Sequence, residues 1–271
     1  MEYINFYDGT KVPVLGFGTY EIPRSQTKKA VLDAINSGYR LIDTAQDYYN
    51  EAEVGEAVRD SNVPRDQLFV TTKQDAGGYK RAKHDIDESL NKAGLDYFDL
   101  MIIHWPTGKD VETYQALEEA KKEGKLRYIG VSNFNIRQLT DLINQTNVKP
   151  VLNQIETHVY LQQNKQHKWL REHGIVHEAW SPLDNGPRQI MNDPVLNEIA
   201  KNHGKTAVQV ALRFLTQNQI LTLPRSVNPS HIKDNINIFD FELNNNELSE
   251  IQNLNGIHEG SGWPLSMKED N

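Results

Sequence analysis

Residues 41–50 read LIDTAQDYYN, a short apolar run that ends in Asp43 and is followed within one loop by Tyr48 and Tyr49. The run has the character of a buried strand, because strands that are covered on both faces form short, continuous apolar segments. Its polar residues begin where the strand would end. The stretch therefore predicts one unit of a parallel β/α sheet, with polar side chains collected at the carboxyl end of the strand.

Seven further runs of this kind recur along the chain, with helical segments between them. They are VLGFGT (14–19), LFVTTK (68–73), DLMIIHW (99–105), RYIGVSN (127–133), VLNQIE (151–156), IVHEAW (175–180) and ILTLPRS (220–226). Eight strands alternating with crossovers fit a closed barrel. No linker, low-complexity segment or composition break divides the sequence. We therefore predict an α/β fold, a single (β/α)8 TIM barrel domain that spans residues 1–271.

The segments between the runs carry helix and turn signals. In SQTKKAVLDAINSG (25–38), Ser25 is the expected N-cap, the apolar residues from Ala30 to Ile35 share one face, and Gly38 ends the helix. VETYQALEEAKKEGK (111–125) is helical and ends at Gly124. In INFYDGTKVPV (4–14), Asp8-Gly9 predicts a two-residue turn. The resulting N-terminal β-hairpin is expected to cap the barrel floor.

A doubly wound dinucleotide-binding fold is the main alternative, and it should show GxGxxG directly after its first strand. The nearest match is GFGTYE (16–21), which lacks the third glycine, and Pro23 and Ser25 delay the following helix. The barrel is therefore the preferred fold.

Composition narrows the class of protein. The chain has 271 residues, a net charge of -8 and no cysteine, so disulfides and thiolate chemistry are excluded. Its acidic balance disfavours nucleic acid and anionic membranes as partners, because such binding needs concentrated Lys and Arg. No apolar run has the length of a membrane span, and the first residues do not resemble a signal peptide. We expect a soluble cytoplasmic protein.

Four titratable residues stand at or just after the ends of predicted strands: Asp43, Tyr48, Lys73 and His104. Each alone has an ordinary structural explanation, such as a cap or a paired buried group. Four at the same end of a barrel indicate a site, because chemistry in such barrels lies at the carboxyl ends of the strands. Burial of Asp43 and Lys73 would also be costly unless the two form an ion pair.

The tyrosine indicates the kind of chemistry. A phenol is neutral at pH 7 and can donate a proton, and a lysine at about 4 Å would favour phenolate by about 4 kcal/mol before desolvation is subtracted. Such an acid suits protonation of an oxygen that becomes an alkoxide while a carbonyl carbon receives hydride. His104, if neutral, could orient that carbonyl. Since no side chain donates hydride, a nicotinamide cofactor is implied.

The sequence resembles the aldo-keto reductases over nearly its whole length, from GFGTYEIP to SVNPSHIKDN, and in particular the microbial branch that includes the diketogluconate reductases. The motifs LIDTAQDYYNEAEVG, VTTK, DYFDLMIIHWP, GVSNF, NQIE, AWSPL and LPRS follow one another in the family's order. The resemblance implies that Asp43, Tyr48, Lys73 and His104 form the catalytic tetrad, with Tyr48 as the acid. Tyr49 departs from the small residue usual at its position and is expected to narrow the pocket.

The resemblance also implies the residues that hold the cofactor, which would be NADPH. They are Gly18, Thr19, Asp43, Ser132, Asn133, Gln154, Trp180, Ser181, Leu183, Arg225, Ser226, Val227, His231 and Asn235. Trp180 would stack on the nicotinamide. His231 stands where the family usually has an arginine for the adenosine 2'-phosphate, and Arg225 keeps a permanent cation nearby. A weakened preference for NADPH, with real use of NADH, follows as a hypothesis.

The same resemblance places the substrate among Tyr20, Tyr48, Tyr49, His104 and Trp105, with Trp263 as a further candidate. The segments TGKD (107–110) and LDNGPRQIMND (183–193) are short for lid loops, which favours small aldehydes and dicarbonyls as substrates. The resemblance also implies a monomer. A nicotinamide sensor with little turnover is the alternative.

A metal hydrolase is disfavoured, and no metal is expected. The motif HGIVH places His173 and His177 four residues apart, but Gly174 and the β-branched residues indicate a loop entering a strand. The spacing that two metal ligands have on one helix therefore does not apply.

Overall fold

Eight parallel strands form one sheet that curls into a barrel. The structure, a computed structural model, describes residues 1–184, 186, 188–257, 260–262 and 264–269, with residues 268 and 269 described by their backbone alone. The strands are β3 (Phe17–Gly18), β4 (Leu41–Asp43), β5 (Phe69–Gln74), β6 (Phe98–Ile103), β7 (Leu126–Ser132), β8 (Leu152–Glu156), β9 (Val176–Trp180) and β10 (Leu221–Thr222), paired in that order. Each coincides with one predicted run.

Backbone hydrogen bonds close the barrel between its first and last strands. Thr222 N–H donates to Val14 O and Gly16 N–H donates to Thr222 O, both at 2.9 Å. A side chain on Gly16 would collide with Leu41, since a Cβ there would lie 2.3 Å from Leu41 Cδ2. The closed (β/α)8 fold is confirmed, and the dinucleotide-binding alternative is wrong.

Helices cover the outside of the barrel. They are α1 (Arg24–Asn36), α2 (Glu51–Asp60), α3 (Tyr79–Ala93), α4 (Asp110–Lys122), α5 (Ile136–Gln145), α6 (Asn164–Glu172), α7 (Arg188–Asn192), α8 (Pro194–His203), α9 (Ala207–Gln217), α10 (Pro229–Ile236) and α11 (Asn245–Gln252). Helix α4 ends before Gly124, whose φ of 79° is left-handed, as predicted. In the part of the chain that the structure describes, no helix combines the length and hydropathy needed to cross a membrane.

The predicted N-cap of α1 is wrong, although the predicted buried face of this helix is correct. Ser25 is not the N-cap of α1, because the helix begins at Arg24 and Pro23 occupies the cap position without a side-chain hydrogen bond. The predicted buried face is correct, since Ala30, Val31, Ala34 and Ile35 are buried.

The N-terminal hairpin of β1 (Tyr3–Asn5) and β2 (Lys11–Pro13) is confirmed, but its turn is longer than two residues. Gly9 N–H donates to Phe6 O, and Phe6 N–H donates to Thr10 O, both at 2.9 Å. With Gly9 at a φ of 87°, the loop is a three-residue turn that ends in a left-handed glycine.

The hairpin closes the amino-terminal end of the barrel, which we call the floor. Phe6 and Val12 join a buried apolar cluster with Leu41, Leu100, Ile102, Val151, Leu152, Val176, Leu221 and Leu223. The Phe6 ring packs edge-on against Tyr128 and Phe69, at centroid distances of 5.0 and 6.1 Å. We call the opposite end, where the strands finish, the mouth.

Candidate active site

Asp43 and Lys73 form a buried ion pair inside the mouth. Asp43 is the last residue of β4 and Lys73 lies near the end of β5, so the parallel register brings them together. Lys73 Nζ lies 2.5 Å from Asp43 Oδ1 and donates to Thr44 O at 3.0 Å. Burial alone would lower the pKa of Lys73, but Asp43 and Tyr48 outweigh it and raise the pKa. The lysine is therefore a fixed cation, as the sequence predicted.

Tyr48 lies on a single helical turn (Gln46–Tyr48) that follows β4. Its half-buried ring has Lys73 Nζ 4.7 Å from the centroid and packs against Tyr20 at 5.0 Å. Burial raises the pKa of Tyr48 to about 12, because it outweighs the attraction of Lys73. Lys73 lowers this pKa, as expected from sequence, but the cost of desolvation is larger than that attraction. The phenol stays protonated and remains a proton donor.

His104 contacts an acid that the sequence analysis missed. Its Nδ1 lies 2.5 Å from Asp75 Oδ1, and its ring meets Tyr48 edge-on at 5.8 Å. An ionised carboxylate only accepts, so Nδ1 carries a hydrogen. Asp75 therefore fixes the orientation of the His104 ring at the mouth.

A second missed acid lies deeper in the barrel. Gln154 Nε2 donates to Asp43 Oδ2 at 3.2 Å and to Glu178 Oε2 at 2.8 Å, which joins β4, β8 and β9 through side chains. Glu178 is fully buried, and burial together with the charge of Asp43 raises its pKa to about 8. A polar residue within the apolar run IVHEAW was the available signal, but only the barrel register shows that Glu178 faces Gln154.

Ser132, Asn133 and Trp180 form one hydrogen-bonded group at the ends of β7 and β9. Trp180 Nε1–H donates to Asn133 Oδ1 at 2.8 Å, and Asn133 Nδ2–H donates to Ser132 Oγ at 2.9 Å and to His104 O at 3.1 Å. The half-buried indole of Trp180 is thereby held in one orientation. An oriented aromatic face beside the amide of Gln154 suits a flat, polar ring such as nicotinamide.

The residues expected at the adenosine end lie at and after β10, mostly exposed to solvent. Arg225 Nη2 pairs with Glu21 Oε2 at 2.5 Å, and Ser226 Oγ accepts from Asn228 N–H at 3.1 Å. Val227 and His231 are exposed, whereas Asn235 is buried in α10. Arg225 stands four residues before Pro229, the first residue of α10, so this segment offers a cation and a helix amino terminus to a phosphate.

The remaining expected cofactor residues lie close to Asp43 or in the loop after β9. Gly18 N–H donates to Pro224 O at 3.1 Å, and Thr19 Oγ1 donates to Asp43 O at 2.9 Å. Ser181 has a left-handed φ of 51°, and Leu183 packs against the core.

Of the aromatic residues expected around the substrate, some pack against the tetrad residues at the mouth and one is exposed to solvent. The Trp105 ring stacks on His104 at 5.5 Å and meets Trp180 edge-on at 6.5 Å, and Tyr20 packs on Tyr48. Tyr49 is 75% exposed with a left-handed φ of 56°, so nothing in its position indicates that it narrows the pocket. Trp263 lies outside the described residues.

The two histidines of HGIVH do not share a site. His173 closes α6, and its Nδ1 lies 2.8 Å from Trp169 O, whereas His177 is buried in β9. His177 Nδ1 instead lies 3.0 Å from His167 Nδ1. The interpretation of this motif as a loop entering a strand agrees with the fold.

The chain is similar to known proteins in both sequence and structure. A model described as "Aldo/keto reductase family" matches residues 14–256. The chain is 44% identical over 268 residues to a morphine 6-dehydrogenase of Pseudomonas putida, covering 93% of this chain and 90% of that protein. It is 39% identical over 254 residues to the methylglyoxal reductase DkgA of Escherichia coli (strain K12), covering 93% and 92%. MGS-M4, an aldo-keto reductase enzyme from a Medee basin deep-sea metagenome library, matches with a TM-score of 0.92 at 37% identity, over 95% of this chain and 96% of that chain.

Proposed function

Because this chain belongs to the aldo/keto reductase family, we propose that it is an NADPH-dependent reductase of small aldehydes, ketones and dicarbonyls. The observation that carries the proposal is the half-buried phenol of Tyr48 beside the buried pair of Lys73 and Asp43. Tyr48 is the proposed general acid, Lys73 and Asp43 support it, and His104 orients the carbonyl.

The residues at the mouth fit a nicotinamide cofactor. Trp180 would support the ring, Ser132, Asn133 and Gln154 would bind the carboxamide, and Gly18, Thr19, Asp43, Ser181 and Leu183 would lie along the cofactor toward its adenosine end. Arg225, Ser226, Val227, His231 and Asn235 would hold the adenosine end. The fit rests on the fixed indole of Trp180, the amide of Gln154 and the guanidinium of Arg225. When bound, the cofactor supplies hydride to the carbonyl carbon.

The protein's own residues handle the proton. As the carbonyl oxygen gains negative charge, Tyr48 donates its hydroxyl proton to that oxygen, and the product is an alcohol. The phenolate left on Tyr48 lies next to the Lys73 ammonium, which stabilises it. His104, whose ring meets Tyr48 edge-on, hydrogen-bonds to the same oxygen and fixes its position. Asp43 keeps Lys73 in place throughout.

The substrate class is supported by one relative and by the aromatic lining. That relative is named a methylglyoxal reductase, after a small dicarbonyl. The mouth presents the rings of Tyr20, Tyr48 and Trp105. Such a lining binds small carbonyl compounds by apolar contact and leaves orientation to Tyr48 and His104. We expect a cytoplasmic monomer that needs neither nucleic acid nor membrane.

Cofactor preference depends on His231. An exposed histidine offers weaker and less permanent charge than arginine, so we propose that NADPH is preferred only modestly and that NADH is also used. His231→Arg should tighten NADPH binding and leave NADH binding almost unchanged. Equal effects on both cofactors would contradict the placement, and a kcat/KM ratio above several thousandfold would contradict the modest preference.

The proposed function is tested by following absorbance loss of NADPH, and separately of NADH, with methylglyoxal and with an aromatic aldehyde. Rapid oxidation with both aldehydes supports a reductase of broad range. Tight NADPH binding without oxidation would contradict it and favour a nicotinamide sensor.

A further inference from the structure

Three potential metal ligands meet at the rim of the mouth, separate from the residues assigned to acid chemistry. Glu156 ends β8, His158 lies in the turn that follows, and Asp184 lies in the loop after β9. One ligand atom from each side chain lies within 4.8 Å of the others. Side chains from two strand ends are thus brought to one point.

His158 is the feature that the surrounding protein does not explain. Its side chain is 0% exposed, and neither ring nitrogen makes a hydrogen bond within the described residues. Buried polar groups are almost always paired, so each exception needs an explanation. Its backbone is fixed by two mutual 3.0 Å hydrogen bonds with Leu161. The imidazole is therefore held in place with an unsatisfied nitrogen.

The Nε2 atom of His158 lies close to both carboxylates. Nε2 lies 3.4 Å from Asp184 Oδ1 and 3.8 Å from Glu156 Oε1. Two ligand atoms that each bind a divalent ion at about 2.1 Å in tetrahedral geometry are about 3.4 Å apart, which matches the first distance and approaches the second. One imidazole with two carboxylates suits first-row divalent ions better than Ca²⁺ or Mg²⁺, which prefer oxygen ligands.

We propose that Glu156, His158 and Asp184 bind a first-row divalent cation of the Zn²⁺ class. From its sequence, the chain is expected to bind no metal, and the proposed site differs from that expectation. Metal binding at this site does not depend on the proposed reductase activity. The other occupant that the geometry allows is a proton, which would make His158 an imidazolium between two acids. The two occupants are distinguished by adding metal.

The cation would have a structural role. Glu156 also accepts from Ser261 N–H, at 2.9 and 3.0 Å to its two oxygens, and from Ser261 Oγ at 2.5 Å. One ion would thus connect β8 and the loop after β9 directly, and through Glu156 it would reach the C-terminal segment. Binding to the folded state alone raises stability by mass action.

The test is a titration of metal-free protein with Zn²⁺ by calorimetry, without nucleotide or phosphate, together with the visible spectrum of the Co²⁺ form. Wild type should bind one ion tightly, with a Tm that rises as Zn²⁺ is added. His158→Gln should weaken this site about 100-fold and abolish the Tm rise. His84→Gln is the matched control, because His84, Asp85 and Glu88 form another potential ligand trio, of which His84 is exposed.

The proposal is overturned if wild type binds no Zn²⁺ or Co²⁺, if His158→Gln binds as tightly as wild type, or if only His84→Gln loses binding. A doubly protonated His158 ring at pH 7 that resists added Zn²⁺, seen by ¹⁵N NMR, would also overturn it. Circular dichroism checks the fold of each variant. If His158→Gln does not fold, Asp184→Asn replaces it, and unchanged binding in that variant counts against the proposal.

Discussion

The floor and the mouth of this barrel are built from the same eight strands but handle charge in different ways. At the floor, Asp99 accepts from Arg65 at 2.7 Å, from Arg127 at 3.1 Å and from Val70 N–H at 2.9 Å, so two cations surround one acid. At the mouth, Asp43 pairs with Lys73, and Asp43 and Glu178 both accept from the amide of Gln154.

This difference separates stability from chemistry. The floor combines an apolar cluster with Asp99, whose carboxylate is paired with two arginines. This arrangement holds the strands together. The mouth keeps buried groups whose pKa values are strongly shifted, which is typical of functional sites. Variants at the mouth should therefore lose activity, with or without stability, whereas variants at the floor should lose stability alone.

The largest expected effect is at the mouth. Lys73→Met leaves Asp43 buried without its cation and removes the charge that stabilises the Tyr48 phenolate. We expect kcat with methylglyoxal to fall about 1,000-fold and the free energy of unfolding to fall by about 3 kcal/mol. Steady-state kinetics and urea unfolding measure the two effects.

Phe6→Ala at the floor is the control for Lys73→Met. Removing this buried ring should lower the free energy of unfolding by about 3 kcal/mol while kcat changes less than about twofold. A large fall in kcat of folded Phe6→Ala would break the comparison, because the floor would then take part in catalysis.

Glu178 gives the mouth a dependence of stability on pH. Its pKa is raised from 4.5 to about 8, so the folded state holds a proton that the unfolded state releases. The contribution of this proton to the free energy of unfolding is fully present below pH 4.5. It is lost between pH 4.5 and about 8, by about 1.4 kcal/mol for each pH unit. Glu178→Gln should therefore show a smaller fall in the free energy of unfolding between pH 5 and 8.5 than wild type, as measured by urea unfolding. A variant with the pH dependence of wild type would show that Glu178 ionises normally.

Asp75→Asn tests the smallest expected effect. Without the carboxylate, the His104 ring loses the hydrogen bond that orients it, a charge-assisted bond worth about 1.5 kcal/mol, or about tenfold in kcat/KM with methylglyoxal. Unchanged kcat/KM in the folded variant would mean that Asp75 takes no part in orienting His104.

Sequence predicts the barrel and the four strand-end residues because apolar runs and their ends are local features. It does not predict the contact of Asp75 with His104 or of Glu178 with Gln154, since each requires the register between different strands. The pKa of Tyr48 is raised although Lys73 lowers it, because the extent of burial depends on the whole fold. The hairpin turn differs because Asp8-Gly9 also fits a three-residue loop that ends in a left-handed glycine.

The central claim is that Tyr48 delivers the proton, and the most direct measurement compares NADPH binding with turnover in Tyr48→Phe. Fluorescence titration gives the Kd for NADPH, and a single-turnover experiment with methylglyoxal gives the rate of reduction. Loss of the hydroxyl should leave the Kd within about twofold and slow reduction at least about 1,000-fold. Reduction at the wild-type rate with the same Kd would contradict the account and assign the proton to another group.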